Sequence, residues 1–141
     1  SGAFIGVKAH HTQAHFYRAT LEGVCFALHQ VLQQVEGATG AVQQLQVSGG
    51  FIRSHIWLQM LADVTGKKLC IVTEEDASAT GAALLAMIAK DWINWESLLQ
   101  KEIQTIHPQP KQHALYQSYF KIYQTLYPSL QGAMHQLYQL Q

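Results

Sequence analysis

The chain carries almost no electrical bias: nine lysines and arginines balance nine acids, for a formal net charge of zero. That leaves no basic surface for a nucleic-acid duplex or an anionic membrane, so binding to either is not expected. Long apolar runs are also missing, and the longest falls far short of a bilayer span. No charged n-region followed by an apolar h-region opens the chain, and the cytoplasm is the expected compartment. Cysteine is scarce: Cys25 and Cys70 sit in an apolar helical pattern and an apolar run, and both read as small core residues of a reducing compartment. Aspartate is scarce, with only Asp63, Asp76 and Asp91, and none of them stands beside a glycine-rich phosphate loop. A Walker A loop is absent, because Gly66-Lys67-Lys68 lacks both the upstream glycine and the Ser/Thr. There is neither an initiator methionine nor a polar leading tail, and the expectation is a piece of a longer protein.

What is present is organised around residues 45–72. Leu45 and Val47 alternate with glutamines, as in a half-covered strand. Gly49-Gly50 permits a sharp turn in which a ligand could lie against bare backbone. Ser54 is a good N-cap, and Trp57, Met60, Leu61 and Val64 form one apolar helical stripe. Gly66 follows where a left-handed C′ residue is wanted. Leu69 to Val72 is an unbroken apolar run suited to a strand covered on both faces. A helix between two strands implies a right-handed parallel crossover. Ligands bind such sheets at the carboxyl ends of their strands, which is where the glycine pair falls. The free amides of the next helix could hold a phosphate or another polar group there.

Around this unit, the spacing predicts a long helix from about Thr12 to Glu36. Tyr17, Leu21, Val24, Leu28, Val31 and Val35 make its buried seam, widened by Phe16, Cys25 and Leu32, and Gly37 and Gly40 end it. Gly23 inside it costs about 1 kcal/mol against alanine. Before it, Phe4, Ile5 and Val7 suit a short strand or an ordered coil. His10, His11 and His15 invite a zinc reading, but no cysteine or carboxylate cluster completes a ligand set, and they read as a polar approach to the helix. After Val72, Thr73 to Asp76 forms an acidic turn, then Ser78 to Ala89 an alanine-rich helix able to lie close to a neighbour. Asp91 to Ile106 reads as another short helix containing Trp95, Leu98, Leu99 and Glu102. His107-Pro108-Gln109-Pro110 breaks the chain. The tail repeats Leu115, Tyr119, Ile122 and Leu126, is interrupted at Pro128, and resumes with Leu130, Met134 and Leu137. It holds five of the six tyrosines, expected to pack with one edge buried and one wet.

Ser48-Gly49-Gly50-Phe51-Ile52-Arg53-Ser54 followed by Trp57 to Gly66 resembles the nucleotide-binding signature of the second domain of the FGGY carbohydrate kinases. Asp76-Ala77-Ser78-Ala79-Thr80-Gly81-Ala82-Ala83 is similar to the alanine-rich segment that follows in that family. His11-Thr12, Arg18-Ala19 and Leu21-Glu22-Gly23 are similar to the start of its first long helix. The likeness covers about residues 2–90. It implies an α/β fold of the actin-like ATPase (ribonuclease-H-like) kind, truncated, with a helical C-terminal tail.

On this reading residues 1–106 are the nucleotide-side domain, lacking its first strands, and 107–141 a tail packed on it. By the same resemblance Gly49 and Gly50 would lie against ATP or ADP, Ser54 would face the adenine, and Phe51 would stand close by. Mg²⁺ is implied for the complete enzyme. The catalytic aspartate and the sugar pocket belong to a preceding domain, so no catalytic residue and no metal ligand is assigned here and the chain alone should be inactive. The segment looks more like gluconate kinases than D-xylulose kinases. An exposed strand edge implies a homo-oligomer. The competing expectation is a non-catalytic nucleotide- or protein-binding module of the actin-like superfamily.

Overall fold

The computed structural model describes residues 2–71, 77–94 and 104–140. Helix α1 (Gln13–Thr39) leads into strand β1 (Gln44–Val47), a 3₁₀ turn (Gly50–Arg53), helix α2 (His55–Thr65) and strand β2 (Lys68–Ile71). Helix α3 (Ala77–Ala89), strand β3 (Gln104–Ile106) and helix α4 (Pro110–Gln139) complete the order. β1 and β2 are parallel, with Leu45 opposite Leu69 and Val47 opposite Ile71, as a helical crossover requires. β3 runs antiparallel on the other side of β2, with Ile106 opposite Leu69. The sheet order is β1-β2-β3, which leaves β1 with one edge unpaired among the described residues.

The centre of the molecule is α2. Its capping explains its length: Ser54 accepts the amide of Trp57 at the start. At the end Gly66 adopts the left-handed conformation and its amide closes on Ala62. Leu58, Met60, Leu61, Ala62, Asp63, Val64 and Thr65 are all buried. They pack with Val47, Leu69 and Ile71 of the sheet, Cys25 and Phe26 of α1, and Tyr116 and Phe120 of α4. Both cysteines are buried free thiols.

Four expectations need correction. First, the helix expected through Ile106 does not exist as one: residues 91–94 form a turn and Gln104–Ile106 a third strand. Trp95, Leu98, Leu99 and Glu102 lie outside the described residues, as does the acidic turn at Thr73 to Asp76. Second, α1 continues through Gly37 and ends only at Gly40.

Third, most of the expected seam of α1 is exposed, although Leu21 packs against the core and the widening residues Cys25 and Leu32 are buried as expected. Tyr17, Val24, Leu28, Val31 and Val35 face outward, while Cys25, Phe26, His29 and Leu32 are the buried set. The two stripes lie about 100° apart around the helix, since each residue advances that angle. Fourth, Pro128 does not interrupt the tail; α4 runs through it as one helix. Its packed residues are Tyr116, Phe120 and the half-buried Tyr123, whereas Leu115, Tyr119 and Ile122 are exposed. Phe4, Ile5 and Val7 are exposed coil. Among the described residues no helix is long and apolar enough to cross a membrane.

Candidate functional site

The glycine corner sits at the carboxyl end of β1. Gly49 has φ +91° and ψ −173°, a combination essentially reserved for glycine. Its carbonyl accepts the amide of Ile52, and Phe51 O accepts that of Ser54, so the chain winds through one 3₁₀ turn straight into the cap of α2. Phe51 packs edge-on against Trp57 with ring centroids 5.3 Å apart, and with Ile52 it leans on the core. Those two side chains fix the turn from below. Above it the backbone is bare: a Cβ at Gly49 or Gly50 would meet nothing within 4 Å. Among the described residues no side chain therefore plugs the corner.

All four sequence-designated residues thus come together within one turn. Gly49 and Gly50 are exposed, and Phe51 and Ser54 half-buried. Ser54 uses its oxygen as the cap acceptor, which leaves its hydroxyl proton available to a ligand. Phe51 packs against Trp57 and so steadies the turn. Gly50 is the informative glycine. It has no left-handed backbone and no crowding neighbour, so nothing within the described chain demands a missing side chain there. No carboxylate or basic nitrogen other than Arg53 and His55 lies in residues 48–56. The corner can cradle a planar or phosphate-bearing ligand against amides, and residues 48–56 supply no carboxylate to it.

The aspartates are otherwise engaged. Asp63 is buried late in α2, where its Oδ1 accepts Gln59 Nε2 at 3.0 Å and the Gln109 amide at 2.7 Å. It ties α2 to the segment entering α4. Asp91 is an exposed turn residue with φ +57°, and Asp76 is outside the described residues. His15 takes the Thr12 amide at 3.1 Å and stacks on His11, so these histidines build the start of α1. Among the described residues no group of three His, Cys, Asp or Glu could hold a metal ion.

Sequence reasoning missed one polar cluster. Arg18 donates to Glu22 at 2.8 Å and to the Tyr116 hydroxyl at 2.9 Å, and that hydroxyl donates to Glu22. Burial and the bond to Glu22 push the Tyr116 phenol up to about 12, so it stays protonated. Burial likewise pushes the Cys25 thiol up to about 11, which makes it inert. The signal in sequence was only Arg-x-x-x-Glu at one helical turn; the tyrosine 94 positions beyond Glu22 could not be foreseen. The cluster walls a polar cleft of about 300 Å³ between α1, α2 and α4, which none of Gly49, Gly50, Phe51 and Ser54 lines.

A profile of the FGGY family of carbohydrate kinases, C-terminal domain, matches residues 1–90. The chain belongs to the FGGY carbohydrate kinases. A probable L-xylulose kinase of Pasteurella multocida is 39% identical over 93% of this chain and 27% of its own length. The L-xylulose/3-keto-L-gulonate kinase of Escherichia coli is 35% identical over 94% of the chain and 27% of its own. A Bacillus licheniformis gluconokinase is 33% identical over 90% of the chain and 24% of its own. The chain thus spans about a quarter of these FGGY relatives. Among solved structures, the xylulose kinase of Rhodospirillum rubrum superposes with TM-score 0.83 at 28% identity, over 96% of the chain and 28% of that one. The Plasmodium falciparum glycerol kinase solved with ADP superposes at 0.71, with 22% identity over 87% of the chain and 26% of that one. The fold is accordingly the actin-like ATPase type, here a mixed sheet with helices and a helical tail.

Proposed function

We propose that this chain is the nucleotide-side part of an ATP-dependent carbohydrate kinase, with Gly49 and Gly50 as the floor of the nucleoside site. The observation that carries the reading is the bare Gly50: a glycine that neither its backbone conformation nor the packing of the described residues requires. Phe51 supports that floor through Trp57, and Ser54 offers its proton to the base. ATP supplies the phosphoryl group and Mg²⁺ its charge neutralisation. Nothing in residues 48–56 suits Mg²⁺, so its ligands would be the phosphates and groups outside this chain.

Transfer to a hydroxyl needs a carboxylate to accept its proton. With Asp63 committed to Gln109, that base also comes from elsewhere, and the chain alone is inactive. For the acceptor we favour a ketopentose of the xylulose type, because two relatives named for L-xylulose are 39% and 34% identical and one named for xylulose is 30% identical. Gluconate, the expectation from motif similarity, is the second choice and is supported by the gluconokinase likeness. The unpaired edge of β1 and the apolar stripe of α1 support self-association of this chain when it stands alone.

Substituting Gly50→Leu in the complete enzyme tests the site. The fold has room for the side chain, so stability should hold while the apparent constant for ATP rises at least about tenfold, or about 1.4 kcal/mol. The constant for sugar should change less than about twofold. Equal effects on both, or none on ATP, would remove the platform.

A further inference from the structure

His29 is an anomaly that the nucleotide site does not use. It points from the inner face of α1 into the contact with α4 and is only 5% exposed. Its ring lies 4.5 Å from that of Phe120, and neither ring nitrogen has a hydrogen-bond partner. A neutral imidazole tolerates this at the cost of an unmet hydrogen bond, but a cation in the same place has lost its hydration with nothing in return.

The charged surroundings sharpen the contrast. From α4 comes His113, from the turn after α2 comes Lys67, and from α1 itself Glu36. Two of the three are basic. The single acid is already engaged, since Glu36 Oε1 accepts Lys67 Nζ at 2.6 Å and the Val42 amide at 2.9 Å. His113 is likewise committed: its Nδ1 donates to the Asp63 carbonyl at the end of α2. The α1–α4 contact around His29 is otherwise a layer of rings, Phe26 against Tyr116, Phe120 and Tyr123, bordered by the bond from Gln124 to Gln33 on one side and by those of Tyr116 with Arg18 and Glu22 on the other. Such a layer has no dipoles ready to solvate a new charge. α4 keeps a separate hold on α2 through His113, Gln117 and the Asp63–Gln109 bond, so α2 need not open with it.

We propose that His29 is an acid-operated release: protonating its ring loosens α4 from α1 while α2 and the sheet remain packed. Burial first, and then His113, holds the imidazole below the ordinary histidine value of 6.5. The folded chain therefore binds this proton more weakly than the unfolded chain does. The contribution of the contact is complete above 6.5 and is lost as the pH falls below it.

Hydrogen exchange of α4 and α2 amides, corrected for intrinsic rates and followed from about pH 7.5 to 5.5, measures the effect. Protection in α4 near His29 should fall by up to about tenfold per pH unit below 6.5, with α2 unchanged over the same range. In His29→Leu the α4 slope should vanish, because an apolar side chain of similar reach has no proton to gain. An unchanged slope in that variant, or loss of α2 protection in step with α4, overturns the proposal. The carbon-bound ring protons of His29 in the unaltered chain give an answer independent of the variant's folding. A midpoint below 6.5 supports the release, and one at or above 6.5 refutes it.

Discussion

Helices α2 and α3 follow successive parallel strands and are both apolar, yet they have opposite fates. Seven of the eleven residues of α2 are buried, whereas no described side chain of α3 is, and Leu85 there is exposed. A helix that is apolar all round is ordinarily buried. α3 and the outer stripe of α1 are therefore surfaces written for neighbours that the described residues do not supply, while the apolar side chains of α2 are covered except at Ile56. The same distinction holds inside one helix: α1 is satisfied along Cys25, Phe26 and Leu32 and unsatisfied along Val24, Leu28 and Val31. Apolar periodicity records that a face is to be covered, and not by what.

Mutation can break this comparison, and the largest effect should come from α2. Leu58→Ala empties a site only 2% exposed and should cost about 3 kcal/mol in urea unfolding, whereas Leu85→Ala in α3 should stay within about 0.5 kcal/mol. Comparable losses at both would mean that α3 is already seated. Next comes Gly66→Ala. Its backbone is left-handed at φ +69°, and the added Cβ would stand 2.5 Å from the His113 ring. A loss of about 2 kcal/mol is expected from the same unfolding curves, combining strain at the turn with displacement of His113. The smallest effect on folding belongs to Leu28→Gln with Val31→Gln on the outer stripe, expected within about 1 kcal/mol. Light scattering over a dilution series should instead show that pair lowering the apparent mass. A chain that is monomeric at every concentration before substitution would dispose of self-association.

The unit from β1 to β2 could be read from sequence because each boundary had its own chemical cause. Ser54 caps, Gly66 turns left-handed, and Leu45 and Val47 alternate with glutamine. The glycine corner was visible for the same reason. The contact of Phe51 with Trp57 was not legible, because it depends on how the 3₁₀ turn aims the ring. β3 escaped notice since Gln104–Ile106 is too short to display a period and owes its conformation to pairing with β2. The faces of α1 and α4 were misassigned by about one position in the repeat. Both helices carry two apolar stripes, and spacing alone does not rank them.

The contact of α4 with the core also bears on where this protein can be cut. The family profile stops at residue 90, although relatives match over 93–94% of the chain, and Tyr116 and Phe120 form one wall of the buried cluster while His113 covers the end of α2. A truncation made at the limit of the shared motif would strip that wall and expose Leu58, Leu61 and Val64 to water. The smallest folding unit is thus longer than the stretch that the family profile alone would mark out.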